Sequence, residues 1–440
     1  MPPGSYRDQR VLVMGLGLHG GGVGIARFFC DRGALVTVTD LRSESDLKPS
    51  LDALSDCRLD LVLGEHREQD FREADLVIRN PAVPAESPYL AMAREHGVPI
   101  DMEMGIFFRE CDPARIIGVT GTRGKSTTAT FIQHLLKHHE VDAVLAGNIR
   151  RSAVTLLDSL APRQTVVLEL SSWQLEALDQ HQLSPGVAVI TNVLPDHLNR
   201  YPDMDAYAAA KGAIVRYQAG ADLAVLNRDN QLAAGFAAST AAEVRWFSPD
   251  DDLPGWEDSR VAGDHNRANL AAAVAATTRF DIPVATIARA VASFEGVPYR
   301  LEQTSSRNGV RYINDTCSTT PDATLAALAT VPGPIVLIAG GSDKQLNFDA
   351  LGRRISALGP SIRSIILFPG EGTARMRPGL PPALLHDVTT MNEAVALAIR
   401  HARRGDAILL SPACASFGTF KNEFDRGDQF NDCVKALAEG

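Results

Sequence analysis

One stretch constrains this chain more than any other: Ile116-Ile117-Gly118-Val119-Thr120-Gly121-Thr122-Arg123-Gly124-Lys125-Ser126-Thr127-Thr128. An apolar run predicts a strand, the glycines predict a tight turn, and the residues from Thr127 to about His138 predict a helix. Glycines let a backbone curl until its N–H groups face one point. A lysine adds a full positive charge there, the helix N-terminus adds a partial one, and a serine hydroxyl can reach a bound Mg²⁺. Gly121, Thr122, Gly124, Lys125, Ser126 and Thr127 therefore form a candidate seat for a triphosphate. The spacing is Gly-x-x-Gly-x-x-Gly-Lys-Ser; Val119 stands where the first glycine of the strict phosphate loop would fall.

A strand–loop–helix unit of this kind belongs in a parallel sheet, and the rest of the chain agrees. Arg10 to Met14 reads as a strand, Gly15-Leu16-Gly17-Leu18-His19-Gly20 as a turn, and Gly24 to Asp31 as a helix. A second strand, Ala34 to Thr39, ends at Asp40. That is a dinucleotide fingerprint, which fits any ligand presenting a pyrophosphate and a ribose. Asp75 to Arg79 is a further strand, and the loop Asn80-Pro81-Ala82-Val83-Pro84 follows it. Strands are expected at Thr165 to Leu170, Val187 to Thr191 and Leu223 to Leu226 in a second segment. A third segment has them at Val310 to Ile313, Ile335 to Ala339, Ser364 to Phe368 and Ala407 to Leu410. The expected architecture is α/β with mostly parallel sheets in three domains, 1–113, 114–298 and 299–440. The first and last are Rossmann-like and the middle one carries the phosphate loop.

The length of 440 residues is too great for one ordinary core. A net charge of −10 argues against a nucleic-acid partner, though not against a phosphorylated ligand. No apolar run reaches the length of a membrane span, and the first residues lack a signal h-region. The six cysteines form no C-x-x-C pair, so neither a disulfide framework nor a zinc site is expected. A cytoplasmic monomer without membrane insertion is the expectation.

Several strand-end residues carry chemistry. Glu169 closes the apolar run Val166 to Leu168, downstream of the phosphate loop, where a carboxylate suits Mg²⁺. Asp196-His197 follows another strand and suits a metal, a substrate carboxylate or a proton. Asn266 and Asn269, before and within an Ala-rich stretch, offer amides that read a purine edge or cap a helix. Lys211 sits in a helical stretch, where spacing gives it no special role. In the third segment, polar loops at Asn314 to Pro321, Gly340 to Lys344 and Ser411 to Phe417 follow strands and together suit a binding site.

Taken together, these stretches resemble the Mur ligases over nearly the whole chain. The matching residues are Gly121 to Ser126, Glu169-Leu170-Ser171-Ser172-Trp173-Gln174-Leu175-Glu176, Asp196-His197 and Tyr207 to Lys211. His265 to Asn269, Asn314-Asp315, Lys344 and Ser411 to Ser416 complete the set. The resemblance implies an ATP-dependent amide ligase that adds D-glutamate to UDP-N-acetylmuramoyl-L-alanine in peptidoglycan precursor synthesis, and so serves cell wall biogenesis, cell shape and division. It implies that Gly15, Gly17, Gly20, Asp40 and Arg42 hold the UDP part and that Asn148 faces the muramoyl substrate. Asn266, Asn269, Arg300 and Asp315 would hold the nucleotide of ATP. Ser126, Glu169, His197 and a carbamylated Lys211 would hold Mg²⁺, with Lys125, His197 and Lys211 as the catalytic set. Thr319, Lys344 and Ser416 would bind the amino acid.

Two positions depart from the family pattern. Cys317 stands where the family often has lysine, and Glu423 where an aromatic residue is common. Both bear on the amino acid rather than on the reaction class. The alternatives are a related Mur-type or folylpolyglutamate-type ligase using another amino acid, such as L-glutamate, and an NAD-dependent oxidoreductase. The oxidoreductase leaves the phosphate loop without a role.

Overall fold

The computed structural model describes residues 6–18, 20–149, 151–197, 200–343 and 346–437. Its strands form three sheets, each covered by helices. The first sheet comprises β1 (Arg10–Met14), β2 (Leu35–Asp40), β3 (Leu59–Leu63), β4 (Leu76–Arg79) and β5 (Ile100–Asp101), in the order β3-β2-β1-β4-β5. All its pairings are parallel. The order reverses between β1 and β4, so the crevice outside their carboxyl ends is the expected ligand position. The helix Gly21–Asp31 leaves the β1 loop at that point and buries Ile25, Phe28 and Phe29.

The second sheet comprises β6 (Ile116–Thr120), β7 (Ala143–Gly147), β8 (Thr165–Glu169), β9 (Val187–Ile190), β10 (Leu223–Asn227) and β11 (Glu243–Phe247). Their order is β11-β10-β9-β6-β8-β7, and every pairing is parallel. β6 is central and buried along its length, as a strand covered on both faces must be. The helix Lys125–His138 leaves its carboxyl end.

The third sheet comprises β12 (Glu302–Arg307), β13 (Val310–Asn314), β14 (Ile335–Gly340), β15 (Ile362–Phe368), β16 (Leu385–Asp387) and β17 (Ala407–Leu410). Their order is β12-β13-β17-β14-β15-β16. Only β12 runs antiparallel. Asn308 and Gly309 join it to β13 with φ of 51° and 75°, the double positive φ of a two-residue hairpin turn. The strands β3, β5, β7, β11, β12 and β16 were not expected from the sequence; the others fall within a residue or two of their expected ends.

The fold is thus three-domain α/β with mainly parallel sheets. The chain forms two compact units, Met1–Phe294 with the first two sheets and Glu295–Gly440 with the third. Among the described residues no helix is long and apolar enough to cross a membrane.

Candidate active site

The phosphate loop is held from one side by the carboxyl end of β9. Thr191 donates its hydroxyl to Arg123 O at 2.5 Å, and Asn192 Oδ1 accepts from Arg123 N at 2.9 Å. Thr122 N donates to Asn192 O, and Thr122 Oγ1 accepts from Leu194 N. Gly124 adopts φ 84° immediately before the helix, the left-handed turn that aims the first helical N–H groups back over the loop. Ser126 and Thr127 lie in that first turn and are buried.

The lysine of the loop folds onto its own backbone. Lys125 Nζ donates to Gly121 O at 2.9 Å and to Thr122 O at 3.1 Å. Lys211, from the helix Met204–Arg216, donates to the same Gly121 O at 3.0 Å. Two lysine Nζ atoms thus share one carbonyl, and Lys211 is only 1% exposed. Burial drives its pKa well below the ordinary lysine value. The Lys125 charge drives it further down, while Asp196 and Glu169 pull the other way. Lys211 is therefore no solvated helical lysine, the role that spacing alone suggested.

Glu169 ends β8 and is 2% exposed. Its Oε1 accepts from Asn148 Nδ2 at 3.0 Å, while Oε2 is buried with no hydrogen-bond partner. Leaving a carboxylate oxygen unpartnered in the interior is costly, so this atom is suited to a cation. Asn148, expected to face the muramoyl substrate, is exposed and holds Glu169. His197 sits at φ 55° with its Nε2 3.8 Å from Asp196 Oδ2. Its ring packs against Trp173, centroids 5.2 Å apart, and Tyr207, 6.0 Å apart. Among the described residues no three His, Cys, Asp or Glu side chains cluster as a metal site. Mg²⁺ does not require such a cage, because it keeps several waters and uses one or two carboxylates with substrate phosphates.

The two asparagines differ. Asn269 is 7% exposed and lies against Gly124, whose absent Cβ would fall 2.1 Å from its Oδ1. Asn266 is half-buried and donates to Ala262 O at 2.9 Å, one turn before it.

In the first sheet Gly15, Gly17 and Gly20 all have positive φ, as the fingerprint turn requires. Asp40 was expected on the UDP part; its Oδ2 accepts from Leu16 N at 2.9 Å and Gly17 N at 3.2 Å, and its Oδ1 from Arg42 N. The acid closes its own loop, and the Arg42 side chain stands exposed beside it. His19 lies outside the described residues.

In the second unit Asp315 is 4% exposed, accepting from Leu301 N at 3.1 Å and Ser411 Oγ at 2.7 Å. Burial pushes its carboxyl up to about 6, against the pull of Ser318, Ser411, the Leu301 amide and the Arg300 charge. Arg300 is exposed. The Ser416 hydroxyl is buried without a hydrogen-bond partner, which suits a donor reserved for a ligand. Thr319 is half-buried in the neighbouring loop. Lys344 lies outside the described residues. Burial pushes the Cys317 thiol up to about 11, with Arg300 opposing and Glu423 assisting. Arg426, fully buried, donates to Thr316 Oγ1, Thr316 O and Cys414 O.

Sequence reasoning missed two sets of supporting residues. Thr191 and Asn192, which hold the loop, follow an apolar strand like many other polar pairs. Arg79, Glu176 and Arg200 form a network in the first unit; each alone reads as a surface charge.

Comparison with known proteins bears on the family and the fold. Residues 9–101 match the family model for the Mur ligase MurD-like N-terminal domain. Residues 119–254 match the Mur ligase middle domain, and residues 299–414 the Mur ligase glutamate ligase domain. The UDP-N-acetylmuramoylalanine–D-glutamate ligase of Roseiflexus sp. (strain RS-1) is 44% identical, with 98% of this chain and 99% of that protein covered. The protein of the same name from Symbiobacterium thermophilum is 35% identical, over 99% of this chain and 100% of its own. Among solved structures, UDP-N-acetylmuramate-alanine ligase MurC from Thermotoga maritima superposes with a TM-score of 0.63 at 20% identity, covering 98% of this chain and 100% of that one. MurF from Acinetobacter baumannii gives 0.60 at 16% identity, covering 99% and 92%. At such identities the structures speak for the fold.

Proposed function

The chain belongs to the Mur ligase family and is an ATP-dependent ligase, and we propose that it joins D-glutamate to UDP-N-acetylmuramoyl-L-alanine. The observation that carries the reading is the pair of lysines on Gly121 O beside the unpartnered Glu169 Oε2. The Lys125 charge favours the arrival of an anionic ligand, and a lone buried carboxylate oxygen favours a metal that comes with it.

A carboxylate is a poor acyl donor because oxide is a poor leaving group. Its oxygen attacks the γ-phosphorus of ATP, the bond to ADP breaks, and an acyl-phosphate forms. The glutamate amine then attacks the acyl carbon, loses a proton, and displaces phosphate. Lys125, released from Thr122 O, would follow the charge of the transferring phosphoryl group, and the loop N–H groups would hold the phosphates in line. Glu169 and Ser126 would hold Mg²⁺, with His197 and a carbamylated Lys211 completing the set. When bound, Mg²⁺ supplies charge neutralisation between phosphates and carboxylate. The depressed pKa of Lys211 supports carbamylation, since only the neutral amine attacks CO₂.

For the rest of the site, Gly15, Gly17, Gly20 and Arg42 would receive the UDP part, with Asp40 shaping that loop. Asn148 would meet the muramoyl group while steadying Glu169. Asn269 would approach adenine, a reading that its contact with the phosphate loop supports, and Asn266, Arg300 and Asp315 would also take part in nucleotide binding. Thr319, Lys344 and Ser416 would take the amino acid. The reaction would run in the cytoplasm, on a monomer. The test is phosphate release from ATP with UDP-N-acetylmuramoyl-L-alanine, comparing D-glutamate, L-glutamate and neutral amino acids. Preference for L-glutamate or a neutral amino acid overturns the assignment and leaves the ligase class standing.

A further inference from the structure

The helix Ser172–His181 begins with a capping box in which Ser171 accepts from Gln174 N and Gln174 reaches back to Ser171 N. That fixes the first turn, so Trp173 and Glu176, three residues apart, share one face. Glu176 collects three partners there. Arg79, at the end of β4 and 6% exposed, donates to Oε2 at 2.5 Å. Arg200 lies 3.6 Å from Oε1, and Tyr201 donates its hydroxyl to Oε1 at 3.4 Å.

Both arginines also hold the loop after β4. Arg79 Nη1 donates to Val83 O at 2.9 Å, and Arg200 donates to Ala82 O and Val83 O. That loop abuts the fingerprint turn, for Asn80 Nδ2 donates to Gly15 O at 3.1 Å. On its other side Arg200 lies over the Trp173 ring, 4.9 Å from the centroid, and Trp173 packs on His197. A continuous line of contacts thus runs from the fingerprint turn to the imidazole.

We propose that Glu176 is a positioning residue that ties the substrate loop Asn80–Pro84 to His197. Its carboxylate balances two guanidinium groups, which would otherwise repel each other, and so keeps the loop carbonyls and the Trp173 stack in one arrangement. Binding of the UDP-linked substrate against the loop then sets the imidazole beside the phosphate site. This rests on the ligase reading above.

The test compares wild type with Glu176→Gln and Arg200→Lys. Glu176→Gln keeps the shape and removes the charge; Arg200→Lys keeps the charge and removes the planar stack. The His197 imidazole Cε1–H resonance, assigned with His197→Gln, is read in the free protein and after addition of UDP-N-acetylmuramoyl-L-alanine. Both variants should shift the free resonance and blunt its response to the substrate. Glu176→Gln should raise KM for the UDP-substrate about tenfold, with KM for ATP changed less than about twofold. An unmoved His197 resonance in a variant with native melting temperature overturns the proposal, as does an equal rise of both KM values. Should Glu176→Gln fail to fold, Arg200→Lys carries the same readouts. An inactive wild type refutes the ligase reading instead, while the resonance still decides the coupling.

Discussion

Gly124 offers a perturbation whose size follows from geometry. In Gly124→Ala the new methyl meets two obstacles. The backbone stands at φ 84°, which costs an L-residue about 1–2 kcal/mol. The Cβ would also lie 2.1 Å from Asn269 Oδ1 and 2.9 Å from its Cγ. A normal carbon–oxygen contact is about 3.5 Å, so the amide or the loop must give by more than about 1 Å. Overpacking of that kind costs about 1–3 kcal/mol. The sum is about 2–5 kcal/mol.

Gly64 separates the two contributions. Its φ is 83°, and a Cβ there meets nothing within 4 Å. Gly64→Ala therefore carries the backbone strain alone. In urea unfolding the two variants should differ by about 1–3 kcal/mol, the clash. In calorimetric titration with ATP, Gly64→Ala should bind as wild type does. Gly124→Ala should lose about tenfold in affinity for every 1.4 kcal/mol that the distorted loop takes from binding. Adding Asn269→Ala to Gly124→Ala removes the clash and should recover the clash part of the stability loss without restoring ATP affinity. If Gly124→Ala matches Gly64→Ala in stability and keeps ATP affinity within about twofold, then Asn269 does not brace the loop and the reasoning fails.

Other outcomes follow from the same site. Lys125→Ala should abolish amino-acid-dependent phosphate release while melting like wild type; near-normal release would remove the loop from the mechanism. Activity in CO₂-stripped buffer should fall and return with bicarbonate, and Lys211→Ala should respond to short carboxylates instead; indifference to both ends the carbamylation reading. In the same stripped buffer, Lys211 has a folded pKa below its unfolded value, so its burial penalty is complete at low pH and fades as pH rises toward about 10.4. Lys211→Met should melt above wild type at neutral pH, with the gain shrinking in alkali; a pH-independent gain contradicts this. Asp315, at about 6, is the reverse of a salt-bridged acid. It binds its proton more tightly folded than unfolded, so its contribution to stability declines between about pH 4 and pH 6. Asp315→Asn should gain up to about 3 kcal/mol on wild type across that window, read from unfolding at pH 4 and pH 8, and an equal difference at both pH values refutes it.

What the sequence revealed depended on whether a signal was local. The phosphate loop was legible because strand, glycines, Lys125, Ser126 and helix follow one another in the chain, and each step has its own physical reason. The hairpin at Asn308-Gly309 was equally local and was overlooked, although Asn-Gly is the strongest short hairpin signal. Short strands such as β5, with two residues, carry no period to read. Lys211 is instructive. Spacing made it ordinary, and only the family resemblance raised it. Yet Tyr207, Lys211, Ile214 and Val215 are all buried on one helix, at intervals of four, seven and eight. A lysine on the apolar stripe was the available signal. Glu176 had no local signal, because its partners Arg79 and Arg200 lie 97 and 24 positions away and only the packing of the two sheets brings them together.

The acids of the site show where pattern reading stops. Asp40 and Asp315 occupy positions at which a motif assigns a ligand contact, and each also accepts from the backbone N–H groups or hydroxyls of its own unit. A motif fixes which residue stands at a strand end; the hydrogen bonds of the adjoining loop fix where its oxygens point. The same reasoning bears on Cys317. The buried thiol carries no charge at neutral pH, being pushed up to about 11. Arg426, which faces it electrostatically, has its guanidinium committed to Thr316 and Cys414. That arginine fastens the loop of Cys317 to the loop of Ser416, whose hydroxyl is left without a partner. The loss of lysine at position 317 therefore leaves a rigid frame of hydroxyl donors, and the charge needed by a dicarboxylate must come from another cation. Lys344 is the one that the family resemblance assigns, and Lys344→Ala should accordingly raise KM for D-glutamate sharply while Cys317→Lys lowers it or leaves it unchanged. Insensitivity of that KM to Lys344→Ala would place the carboxylate-binding charge elsewhere in the second unit.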